Sequence, residues 1–265
     1  MECQNTIKTL KINKNKSIGT VVIVVEGEND EFRLLKHIFT KVFDYNYITL
    51  KRNKVMQYEF KSKKNKNDTI IIANTKNSNI KSLTDDKKYK EELYRILQSE
   101  SKSNLKNTNI YILWDRDKES ENDYLTQVYY RNAINTFSSS MDNDYEMNGL
   151  LLISYPCYES YNLSNFHKRY WKKTYKKSVE CKKEFNTSKY TIKDINDRTI
   201  LLAVENMHKS MLEYGIISYN TDNFKNINEK IYKKEEECFK NNKYLNALSL
   251  ISIILIDLGI ITENE

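Results

Sequence analysis

IGTVVIVVEGENDE, residues 18–31, joins a run of β-branched residues to a charged, helix-compatible segment through one Glu-Gly step. Val21, Val22, Ile23, Val24 and Val25 show no polar alternation, so they predict a strand covered on both faces, as in a parallel sheet flanked by helices. Glu26 is then the first residue beyond that strand's carboxyl end. YILWDRDKE, residues 111–119, repeats the design: residues 109–114 form the apolar strand and Asp115 is the first residue off it. The reactive crevice of an open α/β sheet lies outside the carboxyl ends of its strands. Two such strands side by side would bring Glu26, Asp115 and Asp117 together, and carboxylates gathered there call for a metal.

In an extended or gently turning segment residues i and i+2 point the same way, so Asp115 and Asp117 can share one cation while Arg116 points elsewhere. Mg²⁺, or Mn²⁺ in its place, suits this donor set, because a hard cation keeps several waters and needs only a few carboxylates plus substrate phosphate. Glu119 is a candidate for a second metal position, whereas Glu121 and Asp123 read as helix-capping acids. Two ions about 3.5–4 Å apart can stabilise both the attacking and the leaving oxygen in phosphodiester cleavage. Asp30 lies in the first turn of the helix that Phe32, Leu35, Phe39 and Val42 predict, where it either caps or orders the turn or joins the metal set.

The remaining elements extend the same plan. TIIIA (residues 69–73) and GLLLIS (residues 149–154) are two further buried strands, and residues 47–50 and 55–60 predict one or two more before the basic run KSKKNK (residues 61–66). That run reads as a solvated turn or a phosphate contact. Tyr89, Leu93, Ile96 and Leu97 mark a crossover helix, and Leu125, Val128, Tyr129, Ile134 and Phe137 mark another. Strand and helix in alternation give an α/β protein with a mainly parallel central sheet. Just beyond the fourth buried strand stands Glu159, either a site acid or a first-turn helix acid after Pro156. Cys157, beside it, reads as a small buried thiol, since no base is near it in sequence.

From residue 161 the composition turns to lysine and aromatics. Lys168, Arg169, Tyr170, Trp171, Lys172 and Lys173 form the best nucleic-acid candidate, basic groups neutralising phosphates while rings stack on unpaired bases. An amphipathic helix with aromatic core contacts is the competing reading. Helices follow over residues 200–212 and 228–241. The apolar tail, residues 245–261, is short for a membrane span and carries Asp257, so it reads as a buried packing helix or the subunit interface of a homodimer.

A chain of 265 residues can bury a sizeable core. One proline and five glycines argue against the many tight turns of an all-β sandwich. A net charge of +7 favours an anionic partner only weakly, because the abundance of lysine and asparagine matches an AT-rich coding bias. Four cysteines far apart, with no C-x-x-C pair, exclude a zinc ribbon or a disulfide framework and point to a reducing, cytoplasmic setting. The polar, lysine-containing start shows no signal peptide.

The strand ending in Glu26-Gly27 with Asp30 after it, and the later strand ending in Asp115 and Asp117, resemble the Toprim domain of topoisomerases, primases and several nucleases, over roughly the first 155 residues. SYPCYESYN (residues 154–162) resembles the Pro-Cys-aromatic-Glu segment of RloB-like Toprim proteins. It is also similar to the Glu-containing segment of the small Toprim effector of the PARIS phage-defence system and, more loosely, to OLD-type nucleases. The resemblance implies a Toprim-like (Rossmannoid) domain over residues 1–160, with a helical substrate- or partner-binding region, 161–265, packed on it. It implies Mg²⁺ on the Asp-x-Asp, acid–base or metal work for Glu26, and a fourth functional acid at Glu159. The activity implied is metal-dependent cleavage of RNA, such as a host tRNA, or of DNA in anti-phage defence. A companion ATPase is implied as well, since the chain has no G-x-x-x-x-G-K-[ST] loop of its own. A non-catalytic binding module and a primase-like phosphoryl transferase are the alternatives.

Overall fold

The computed structural model describes residues 9–27, 29–52, 56–74, 91, 108–117, 124–141 and 149–264. β1 (Thr9–Ile12) pairs antiparallel with the last strand, β11 (Ile261–Asn264), in a two-stranded sheet of their own. β2 (Thr20–Val25) is the middle strand of a seven-stranded sheet, and Val21 through Val25 are fully buried, as a run without alternation requires. It pairs in parallel with β5 (Thr69–Asn74) on one side and β6 (Asn109–Asp115) on the other, and β6 pairs in parallel with β7 (Leu150–Tyr155). The register sets Val25 beside Asn74 and Leu113, and Asp115 beside Ser154. All four carboxyl ends therefore finish along one edge. β3 (Tyr45–Arg52) and β4 (Met56–Ser62) extend the sheet antiparallel beyond β5.

α1 (Asp30–His37) follows the Glu-Gly step and runs on as a π-helical turn through Val42, burying Leu34, Leu35, Ile38, Phe39 and Val42. α2 (Tyr124–Thr136) connects β6 to β7. The helix expected around residues 89–97 lies outside the described residues apart from Glu91, which is helical. After β7 come α3 (Glu159–Ser164), β8 (Thr174–Tyr175), α4 (Ser178–Thr187), α5 (Asp197–Glu213) and α6 (Phe224–Asn242). One core joins Val21–Val25 to Ile200, Val204, Ile231 and Ile253, so residues 161–265 complete the sheet domain's interior.

The tail departs from the single helix expected over residues 245–261. It forms β9 (Leu245–Asn246), β10 (Leu248–Ser249) and a short α7 (Ser252–Asp257). The polar interruptions explain the division: Ser249 Oγ bonds Ser154 Oγ at 2.8 Å as β10 adds antiparallel to β7, and the Asn246 amide donates to Glu235 Oε2 at 2.9 Å. Sheet pairing thus overrides helix-compatible composition. Among the described residues no helix is long and apolar enough to cross a membrane.

Two features of this frame carry predictions. Gly149 enters β7 at φ +82°, and a Cβ there would stand 2.8 Å from Ile110 Cγ2. Gly149→Ala is expected to destabilise the protein by about 1–3 kcal/mol in urea unfolding, from left-handed strain and the clash together. Glu235 is wholly buried on α6, accepting from the Tyr214 hydroxyl and the Asn246 amide, and burial pushes its carboxyl up to about 7. The folded chain therefore holds a proton that the unfolded chain has released, so its stabilising contribution is complete below about pH 4.5 and is lost as pH rises through 7. Glu235→Gln is expected to flatten the fall of stability between those values, as measured by thermal unfolding across pH.

Candidate active site

Every strand end at the carboxyl edge contributes. Asn74, last in β5, donates its side-chain amide to the carbonyls of Gly27 and Glu26, fixing the Glu-Gly step. The Glu31 carboxylate folds back over that step, takes a hydrogen bond from the Gly27 amide and occupies the space a Cβ at Gly27 would need. Asp115 ends β6; its amide hydrogen-bonds the Glu26 carboxylate, and its carbonyl accepts from the Tyr130 hydroxyl. The segment after it does not stay extended. Asp117 sits at φ +31° and donates its amide to the Pro156 carbonyl at 2.9 Å, while the Arg116 amide donates to the Ser154 carbonyl at 2.9 Å. These two bonds fasten the Asp-x-Asp turn to the exit of β7, where Glu159 begins α3.

Burial and like charge dominate the electrostatics. Burial first, then Asp117 and Glu31, push Glu26 up to about 7 against the Asp115 amide bond and Lys182. Asp115 is held well above the carboxylate range by burial and by Asp117, Glu31, Glu159 and Glu26. Glu31 and Glu159 are raised too, in each case mainly by burial. Glu159 lies beside the Cys157 thiol, and its buried Oε2 has no partner among the described residues. Lys182, on α4, stands 3.6 Å from Asp117 Oδ2. Burial opposes its charge, yet Asp117 and the other acids raise its pKa.

Glu26, Asp115, Asp117 and Glu159 therefore share one electrostatic site. Asp30 stands apart from them: its exposed carboxylate lies 3.5 Å from Arg33 Nη1, and its charge acts on Glu31 and Tyr158 at the margin of the cluster. Glu119 lies outside the described residues. Glu31 and Lys182 are the members that sequence reading missed; Glu31 is one of two adjacent first-turn acids and Lys182 one lysine among many. Hard carboxylate oxygens, mutual repulsion and the unpartnered Glu159 Oε2 suit a divalent cation. As the side chains stand, however, no three acidic, histidine or cysteine groups among the described residues form a ready-made cage.

The basic strip divides. Lys168, Arg169, Lys172 and Lys173 are exposed and Trp171 is half-buried, with Lys172 Nζ 4.8 Å above its ring. Tyr170 is the exception to the stacking role: it is buried, its hydroxyl 3.0 Å from that of Tyr175 and 3.7 Å from Cys181 Sγ. Lys173 is engaged by Glu184 at 3.0 Å. In the lysine run of residues 61–66, Lys61 pairs with Glu59 at 3.5 Å and Lys63 with Asp44 at 2.6 Å, the pattern of a solvated turn.

Fold and site together define a class: an α/β protein whose mainly parallel sheet carries clustered carboxylates at its carboxyl edge. Comparison with known proteins adds no relative: no family model matches the chain, and no curated protein or solved structure is detectably similar to it.

Proposed function

We propose that the protein is a Toprim-like, divalent-cation-dependent nuclease that cleaves phosphodiester bonds in RNA, such as tRNA, or in DNA, and serves anti-phage defence with a companion ATPase. The observation that supports the reaction is the approach of Glu26 to Asp115, with Asp117 close enough to shift them both and Glu159 close enough to shift Asp115. Asp115 and Asp117 would hold the cation, with Glu26 beside them. A bound Mg²⁺ or Mn²⁺ would supply charge neutralisation at the scissile phosphate. Glu26, poised near neutrality, is suited to take the proton of the attacking water. Lys182 offers a positive charge to a phosphate oxygen on the opposite side of Asp117. Lys168, Arg169, Lys172, Lys173 and Trp171 would hold the flanking strand.

The second reading, a non-catalytic module that binds nucleic acid or a partner, is favoured by the lack of a ready-made cage among the described residues. Two measurements separate them. Purified protein, with and without a neighbouring gene's product, is expected to cut RNA or DNA only with Mg²⁺ or Mn²⁺, and Asp115→Ala to abolish the cut. Mn²⁺ is also expected to raise the melting temperature of the wild type by at least about 2 °C at pH 8 and to leave Asp115→Asn unmoved. No cleavage and no cation-dependent shift would favour the binding module.

A further inference from the structure

Cys157 and Cys181 are both fully buried and meet from the loop before α3 and from α4. Both belong to one small buried core, and Ser178, one turn before Cys181 on α4, also meets Cys157. The Ser160 hydroxyl lies 3.5 Å and the Tyr170 hydroxyl 3.7 Å from Cys181 Sγ, while Cys157 Sγ lies 3.8 Å from the Ser178 carbonyl oxygen. Leu163, Tyr175 and Ala247 enclose them in a small core separate from the main one. A cysteine used only as a small apolar side chain needs no such polar surround. We infer that Cys157 and Cys181 are a modification site, a thiol pair that a hydroperoxide converts to a disulfide.

The chemistry balances without a cofactor. One thiol sulfur attacks hydrogen peroxide, the O–O bond breaks, and a sulfenic acid and one water form, an alcohol taking the place of that water when the oxidant is an organic hydroperoxide. The second sulfur then attacks the sulfenic sulfur, forming the S–S bond and expelling the second water. The two sulfurs lose two electrons and two protons in all, and the peroxide gains both. Cys181, with the Tyr170 hydroxyl within reach of its sulfur, is the better first nucleophile, and Cys157 shares the same core to resolve it. The cover is thin, because α4 lies at the surface with Val179 63% exposed and the Lys182 side chain 39% exposed. The bond would also touch the acid cluster, because Cys157 stands beside Glu159 and Cys181 immediately precedes Lys182. That effect on cleavage rests on the proposed function, whereas the crosslink itself does not.

The test uses the native full chain, treated with hydrogen peroxide, alkylated with maleimide in denaturant and digested without reductant. Mass spectrometry is expected to find a peptide joining Cys157 to Cys181, loss of both maleimide adducts together, and full recovery of both after dithiothreitol. Cys157→Ser and Cys181→Ser should each abolish the crosslink, and the wild-type experiment decides alone if either variant fails to fold. Recovery of both thiols as adducts while Cys238 oxidises, or oxidation of either to sulfinic acid without a crosslink, overturns the inference. Since no cleavage is measured, a missing crosslink counts against the pair alone, and a failure to cleave counts against the proposed reaction alone.

Discussion

Glu26→Gln is expected to lower cation-dependent cleavage by about 10²- to 10⁴-fold, the range that positioned acid–base groups contribute. The substitution keeps the side chain's shape and one oxygen to accept the Asp115 amide, so the turn it helps to hold should survive. What it removes is an ionisation that burial, Asp117 and Glu31 place at about 7. The active form of a base is the deprotonated one, and a cation bound beside Glu26 would draw its pKa below the cation-free value, so the wild-type rate should climb with pH to a midpoint below 7 and level above it. Stability carries the opposite sign: the folded pKa exceeds the unfolded value, so ionising Glu26 in place costs stability as pH rises through 7. Glu26→Gln should therefore be at least as stable as the wild type at pH 8. Single-turnover cleavage across pH, with circular dichroism to establish folding, measures both effects. An unchanged rate in Glu26→Gln, or a flat wild-type profile, would take Glu26 out of the chemistry.

The acids at strand ends could be read from the sequence because an apolar run stops where its strand leaves the core. Val25 to Glu26, Trp114 to Asp115 and Tyr155 onward to Glu159 are such steps, and the parallel register carries all three to one edge. Which first-turn acid faces inward could not be read the same way. Asp30 and Glu31 are adjacent on α1, and the rotation of that helix over the Gly27 turn selects Glu31. Lys182 depends on where α4 packs against α3, a contact between segments that no local pattern announces. Tyr170 fails as a stacking residue for a related reason: its basic neighbours are exposed, but its own ring is held by Tyr175 and Cys181 from elements further along. The tail misled because serines and Asn246 in an apolar run interrupt a helix and supply sheet-edge partners alike.

Arg116→Ala is expected to destabilise the protein by about 3–5 kcal/mol, the cost of removing one partner from a buried ion pair. Arg116 is fully buried between the two site aspartates in sequence, yet its side chain leaves them: Nε reaches Glu236 Oε1 at 2.9 Å, and the guanidinium lies 4.7 Å from the Tyr130 ring and 5.8 Å from that of Tyr232. Those rings stack on each other with centroids 5.8 Å apart. Truncation would leave the Glu236 carboxylate, with a side chain only 10% exposed, without this cation and open a void beside the aromatic pair. Arg116→Met with Glu236→Gln should recover much of the loss, because removing both charges leaves none uncompensated. Arg116→Lys should fall between, keeping the charge but losing the planar group that lies against the tyrosines. The pair also ties the Asp-x-Asp turn to α6, and Tyr130, one wall of the guanidinium's cage, bonds the Asp115 carbonyl. Arg116→Ala should accordingly weaken Mn²⁺ stabilisation as well as folding, whereas the double variant should restore folding more fully than cation response. Urea unfolding with and without Mn²⁺ reads both quantities. A loss below about 1 kcal/mol in Arg116→Ala would reduce the pair to the worth of an exposed one and release α6 from any hold on the site.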